Sequence, residues 1–355
     1  MQTIQAINYS IHFNESCYNY LNEILQPNVY SKLFILVDEN TSSYCLPNFI
    51  AQIATEVEIE IIELEAGEEF KNIETCVQVW QSLIELGGDR KSIIINLGGG
   101  VVTDLGGFVA CTFKRGIDFV NVPTTLLSMV DASVGGKNGV DLGHLKNQIG
   151  VIKEPKAVLI DTQFLETLPQ SEMLSGLAEM MKHGLISDKS YWDKFKNLNN
   201  LKSEDLDGLI YESVLIKNKI VSEDLTENGI RKALNFGHTL GHAIESYCLE
   251  NTSKQNLLHG HAVAIGMILE SYISKEKGLI TNDEYQEIKY FINEYFEKVN
   301  FDENDINEII DLMIFDKKNE FGKVQFALLK GIGNIQINET SSNELIFKAF
   351  EDYNL

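Results

Sequence analysis

Paired cysteines are missing from this 355-residue chain: Cys17, Cys45, Cys76, Cys111 and Cys248 are scattered and no CxxC occurs. That excludes a disulfide framework or a thiolate-built zinc motif and predicts a reduced, intracellular protein, here expected in the cytoplasm. Basic residues are scarce too. Lys and Arg number 29 against 52 Asp and Glu, a net charge of −23. Such a chain is a poor general binder of nucleic acid or anionic membrane, so neither is expected as a partner. No apolar run reaches the roughly 18 residues of a membrane-spanning helix. The opening "MQTIQAINYSIHFNES" lacks the basic-then-apolar order of a secretory leader. No internal repeat or low-complexity tract stands out.

What is present is a chain long enough for two domains, with ordinary hydrophobic and charged fractions. The first half alternates. "KLFILVDEN", "VEIEIIEL", "SIIIN", "FVNVP" and "AVLID" read as strands. "IETCVQVWQSLIELGG" has helical spacing and a terminal glycine, and "LGGGVVTDLGGFVACTF" reads as a glycine turn opening a helix. Strands alternating with helices predict an α/β domain with a Rossmann-like parallel sheet. From about residue 170 helical spacing dominates, with short strands expected only in the tail "KVQFALLKGIGNIQI". The boundary is placed there, at Pro169, giving a first domain over 1–170 and a mainly helical one over 171–355.

Four segments carry chemistry. The turn in "NLGGGVVTDLGGF" would offer free backbone N–H groups to a phosphate, although GxGxxG fails because Thr103 holds the third position. Asp104 would meet a ribose hydroxyl or cap the helix. "PTTLLSMVDASVGGKNGVDLGHLKNQIG" is dense in hydrogen-bonding side chains and reads either as a ligand-contacting segment or as a long polar surface loop. In "GLAEMMKHG", Glu179 and Lys182 share a helix face as a buried pair or a simple intrahelical one, and His183 points elsewhere. In "RKALNFGHTLGHAIES", read as one helix, Arg231, Asn235, His238 and His242 fall within a fan of about 60°. Two histidines of that stripe, with His259 from "LLHGHAVAIGM" and the carboxylate of Glu179, could hold a metal. The alternative is a set of core histidines satisfied by hydrogen bonds.

Taken in order, "GGGVVTDLGGF", "PTTLLSMVDASVGGK", "KNQIG", "GLAEMMKHG", "DLTENGIRKALNFGHTLGHAIE" and "LHG" resemble the 3-dehydroquinate synthase family of sugar phosphate cyclases, from about residue 66 to 330. The resemblance implies a zinc site at Glu179, His238 and His259, with cobalt as a substitute, and a substrate or proton-relay role for His242. It implies NAD against Gly67, Glu68 and Lys71, the run Gly100, Val101, Val102, Thr103 and Asp104, then Thr124, Thr125, Lys137, Lys146, and Phe164, Leu165, Glu166 and Thr167. Substrate contacts would come from Asp131, Lys137, Lys146, Asn147, Lys182, Lys217, Arg231, Asn235, His242 and one of Lys317 and Lys318. The implied substrate is a small anionic sugar phosphate, 3-deoxy-D-arabino-heptulosonate 7-phosphate, turned over by a homodimer. The implied reaction oxidises it transiently through NAD, eliminates phosphate, reduces it again and closes the ring by an aldol step. Related cyclases of sedoheptulose 7-phosphate, polyol dehydrogenases and a non-catalytic NAD binder are the rival readings. Thr103, Asn138 and His261 depart from the family's usual Gly, Thr and Glu.

Overall fold

The computed structural model describes residues 1–143, 145–196, 203–251, 254–313 and 324–355. The chain divides into two compact units, Met1–Pro169 and Gln170–Leu355.

The first unit is built on strands β1 (Ile4–Gln5), β2 (Ser10–Phe13), β3 (Leu33–Asp38), β4 (Ile59–Leu64), β5 (Ile93–Gly98), β6 (Asp118–Pro123), β7 (Lys137–Leu142), β8 (Leu145–Ile152) and β9 (Ala157–Ile160). Its helices are α1 (Glu15–Ile24), α2 (Glu39–Tyr44), α3 (Leu46–Ile50), α4 (Ile73–Glu85) and α5 (Gly100–Thr112). Seven strands form one sheet in the order β1-β2-β9-β6-β5-β3-β4. All its pairings are parallel except β1 with β2. The apolar runs of β3 and β5 are buried along nearly their whole length, as parallel strands covered on both faces must be. Strand order reverses between β3 and β5: β4 steps outward beyond β3, whereas β6 and β9 step the other way. In such sheets ligands bind beyond the carboxyl ends of the strands at the reversal. The segments following β4, β5, β6 and β9 all leave the sheet at that edge.

Two features of this unit escaped the sequence reading. Strands β1 and β2 are too short for a periodic signal. The polar segment 123–150 is not a long loop: it holds a single π-helical turn, Ser128–Ala132, and the antiparallel hairpin of β7 and β8. The composition of β7, "KNGVDL", hides it, since its polar side chains are satisfied locally rather than exposed.

The second unit contains α6 (Gln170–Ser187), α7 (Lys189–Phe195), α8 (Ser203–Glu223), α9 (His238–Glu250), α10 (His259–Glu276), α11 (Asn282–Tyr295), α12 (Glu303–Leu312) and α13 (Asn343–Asn354). Two short strands, β10 (Phe326–Leu329) and β11 (Ile335–Glu339), pair antiparallel in the tail segment where strands were expected. Helix α10 is buried along most of its length and packs on α6, α9, α11 and α13, which makes it the centre of the unit.

The segment from Arg231 to Ser246 is not one helix. Ile230–Asn235 is a 3-10 turn, Phe236 is extended, and Gly237 is left-handed at φ 78° before α9 begins at His238. The four-residue stripe therefore does not form. Only His238 and His242 share a helical face. A right-handed helix does not pass through a positive φ, and the glycine that permits this break was invisible to an argument from spacing.

Candidate functional site

In the first unit, candidate residues gather around one buried lysine. Lys71 stands just before the Asn72 side-chain cap of α4, and its carbonyl accepts from Asp141 N, so its backbone is held on both sides. Its ammonium donates to Asp104 Oδ2 at 2.7 Å and to Asn147 Oδ1 at 2.8 Å. Burial opposes that charge, but Asp104, Glu68 and Asp141 outweigh it and push the lysine pKa up. Lys146 donates to Glu68 Oε1 at 2.9 Å. Asn147, at φ 52°, is pinned through its N–H to Asp141 Oδ1 at 2.6 Å. Gly67, Glu68 and Lys71 follow β4, and Gly100 through Asp104 open α5 after β5. Thr124 is buried behind β6, and the Thr125 hydroxyl accepts from Ser128 N, bracing the π-helical turn that carries Asp131. Lys137 begins β7. Phe164, Leu165, Glu166 and Thr167 lie in a 3-10 turn after β9, with Phe164 buried and Glu166 and Thr167 exposed.

In the second unit the centre is Glu179, fully buried on α6. Its Oε1 lies 3.3 Å from His238 Nε2 and 3.5 Å from His259 Nε2. Its Oε2 forms an ion pair with Lys182, one turn along the same buried helix. His238, His242 and His259 each offer a nitrogen within 4.8 Å of the others. Burial would raise the Glu179 carboxyl, but Lys182 and His238 outweigh it and hold the pKa well below the usual range. Burial, reinforced by Lys182, pushes His238 down to about 4, so its imidazole is neutral. Burial also disfavours charge on His259, yet Glu245 and Glu179 prevail and push it up to about 10.

These residues fit a metal ion. His238 Nδ1 faces the Phe236 carbonyl at 3.2 Å. A carbonyl only accepts, so this contact places the proton on Nδ1 and turns the Nε2 lone pair toward Glu179. Two acceptors then face each other 3.3 Å apart in a buried place, and Glu179 Oε1 receives no hydrogen bond of good geometry among the described residues. A cation resolves that conflict. Ligand bonds of about 2.0–2.1 Å in tetrahedral geometry separate ligand atoms by roughly 3.3 Å.

In this unit Lys182, Lys217 and Arg231 are all buried, an unusual load of cations for a helical unit. Arg231 donates to the Leu225 carbonyl at 2.7 Å, and its N–H donates to Asp224. Asn235 donates to Glu227 Oε1 at 3.0 Å. His183, expected from the sequence to point elsewhere, meets Ser213 Oγ through Nδ1 at 2.7 Å, yet it offers a ring nitrogen within 4.8 Å of a Glu179 carboxylate oxygen. Lys317 and Lys318 lie outside the described residues.

Comparison with known proteins bears on this arrangement. Residues 61–175 match the family profile described as 3-dehydroquinate synthase N-terminal, and residues 176–319 match 3-dehydroquinate synthase C-terminal. A 3-dehydroquinate synthase of Parabacteroides distasonis is 42% identical over 335 residues, covering 94% of each chain. One from Prochlorococcus marinus is 39% identical over 326 residues, covering 90% of this chain and 89% of that protein. The chain belongs to the 3-dehydroquinate synthase family. Among solved structures, 2-deoxy-scyllo-inosose synthase, complexed with carbaglucose-6-phosphate, NAD+ and Co2+, aligns with a TM-score of 0.85 at 24% identity over 99% of both chains. The 2-epi-5-epi-valiolone synthase of Streptomyces hygroscopicus subsp. jinggangensis, with NAD+ and Zn2+ bound, aligns with a TM-score of 0.84 at 24% identity, covering 99% of this chain and 98% of that one. These likenesses establish a shared fold of α/β and helical parts.

The three departures from the 3-dehydroquinate synthase pattern are absorbed locally. The Thr103 hydroxyl is buried and donates back to the Gly99 and Gly100 carbonyls at 3.2 Å. The Asn138 amide staples Gly136 and Lys153 carbonyls at 2.9 and 2.8 Å. His261 Nε2 meets the Glu297 carbonyl at 2.8 Å and its ring lies against Phe296. Sequence reasoning missed Glu227, Glu245 and Glu270. Glu227 and Glu245 lie in a segment it had quoted, and Glu270, a lone carboxylate inside the apolar run of α10, stands three residues beyond another.

Proposed function

We propose that this chain converts 3-deoxy-D-arabino-heptulosonate 7-phosphate to 3-dehydroquinate and phosphate, as the family's name implies, with NAD and a zinc ion, cobalt serving in its place. The observation that carries the reading is the buried Glu179 carboxylate facing His238 Nε2 and His259 Nε2 at 3.3 and 3.5 Å. Glu179, His238 and His259 would hold the metal. The edge of the parallel sheet that carries Gly67 to Lys71, Gly100 to Asp104, Thr124, Thr125 and the Phe164–Thr167 turn would hold NAD. When bound, NAD supplies reversible oxidation of the substrate's C5 alcohol and zinc supplies Lewis acidity at that oxygen.

The protein's own residues bind and orient. A doubly anionic substrate needs cations, and in so acidic a chain the buried Lys182, Lys217 and Arg231 are the groups that meet that need. Asp131, Lys137, Lys146, Asn147 and Asn235 complete the proposed contacts. His242 is the proposed proton carrier, one helical turn from His238 with ring centroids 5.2 Å apart. The chain would work as a homodimer on this small molecule, without nucleic acid or membrane as partner. Among the described residues no helix is long and apolar enough to cross a membrane.

The test is phosphate release from 3-deoxy-D-arabino-heptulosonate 7-phosphate with NAD and zinc present, following NADH absorbance in parallel. Phosphate released in step with substrate, without accumulating NADH, is the expected result. Steady NADH accumulation would identify a dehydrogenase, and phosphate release from sedoheptulose 7-phosphate alone would identify another cyclase. A His238→Ala variant with full turnover would sink the metal assignment.

A further inference from the structure

Glu270 is fully buried on α10 and belongs to neither the proposed ligand set nor the proposed substrate contacts. Its carboxylate points at the start of α9. Oε2 accepts from Gly237 N at 2.7 Å and Oε1 accepts from Leu240 N at 3.2 Å. The first N–H groups of a helix have no partner within it, and a side chain at the N-cap normally supplies one. Here the N-cap is Gly237, which has no side chain. A carboxylate from another helix takes over that task and places negative charge at the positive end of the α9 dipole.

The consequence reaches His238 through a single peptide unit. The N–H of Gly237 and the C=O of Phe236 belong to the same planar group and point in opposite directions. Glu270 accepts from the N–H side, while His238 Nδ1 meets the C=O side at 3.2 Å. Fixing one side of the plane fixes the other. The approach is set by Gly266, one turn before Glu270 on α10, where an added Cβ would lie 2.0 Å from the Gly237 carbonyl oxygen. Helix α10 therefore brings its own backbone against the turn and Glu270 beneath it.

We infer that Glu270 is a positioning residue for the metal centre: by gripping the Phe236–Gly237 peptide it sets the tautomer and direction of the His238 imidazole, so that Nε2 faces Glu179. This rests on the proposed reading of His238 as a metal ligand. It assigns to a carboxylate with no direct contact to the metal the function that a hydrogen-bond partner of a ligating histidine usually performs.

The experiment strips the full-length protein of metal and measures zinc affinity by competition with a chromophoric chelator. It compares wild type, His238→Ala, Glu270→Gln and Glu270→Ala, with thermal midpoints and amide exchange over residues 236–242 of the metal-free forms. Glu270→Ala is expected to weaken zinc binding by about tenfold or more and to speed exchange at Gly237 and Leu240. Glu270→Gln, which keeps one acceptor oxygen for two donors, is expected to fall between. A lower thermal midpoint with wild-type zinc affinity would overturn the inference and leave Glu270 a purely structural cap. If Glu270→Ala does not fold, Glu270→Gln decides by the same criterion. If neither folds, Glu270 is a fold determinant and the claim on the metal fails. Zinc affinity untouched by His238→Ala would sink the metal reading itself, and this inference with it, an outcome distinct from the others.

Discussion

Glu245 Oε2 lies 3.0 Å from His259 Nδ1, on the far side of the imidazole from Glu179. The two carboxylates thus bracket one ring, and Glu245 holds its Nδ1 proton so that Nε2 is presented to the centre. Glu245→Ala is predicted to weaken zinc binding about tenfold, read by chelator competition. Glu245→Gln, whose amide oxygen still accepts, should recover part of the loss. Equal affinity in all three forms would show that His259 needs no such partner.

Lys71 joins Asp104 and Asn147, one residue proposed to face NAD and one proposed to face substrate. Lys71→Met removes two charge-assisted hydrogen bonds, each worth about 1.5–3 kcal/mol at most. NAD affinity measured by fluorescence quenching should fall at least about tenfold, the equivalent of 1.4 kcal/mol. Zinc affinity, which depends on residues of the other unit, should stay unchanged. A parallel loss of both would mean that the variant had simply unfolded.

How much of this was legible in the sequence depends on the range of the interaction. The buried strands β3, β5, β6 and β9 and the glycine turn into α5 are local patterns, and they were readable. The ordered motifs were readable as a family resemblance. The break at Phe236–Gly237 was not, because apolar spacing continues smoothly across it and only packing against Gly266 makes the glycine turn necessary. The hairpin of β7 and β8 was hidden by polar composition. Glu245 and Glu270 were in view as letters, but their partners lie 14 and 33 residues away, on other elements. Carboxylates that orient a ligand through an intermediate group have no spacing of their own to detect.

Gly266 gives that packing a direct test. Its missing side chain lets α10 touch the Gly237 carbonyl, and a Cβ there would sit 2.0 Å from that oxygen. Gly266→Ala should therefore destabilise the protein by about 1–3 kcal/mol through overpacking, although alanine is the better helix former by about 1 kcal/mol. Urea unfolding of the two forms decides. A stabilised or unchanged variant would mean that α9 and α10 are not in contact at this point.

Asp305 offers a pH-dependent test away from the metal centre. It accepts from the Tyr247 hydroxyl of α9, from Lys254 Nζ at 2.5 Å and from Asp302 N at 2.8 Å. Burial favours its neutral form, but the Lys254 and Tyr247 hydrogen bonds prevail and hold its pKa below the ordinary value. A carboxyl with a depressed folded-state pKa stabilises the fold above its unfolded pKa, about 3.9, and loses that contribution as pH falls through the lower folded value. Asp305→Asn, which keeps an acceptor but loses the charge, should cost about 1–2 kcal/mol at pH 7. The gap between variant and wild type should narrow as pH drops below about 4. Urea unfolding across that range measures it. A gap that stays constant would mean that the charge of Asp305 contributes nothing, and that its hydrogen bond to Tyr247 joins α9 to α12 by geometry alone.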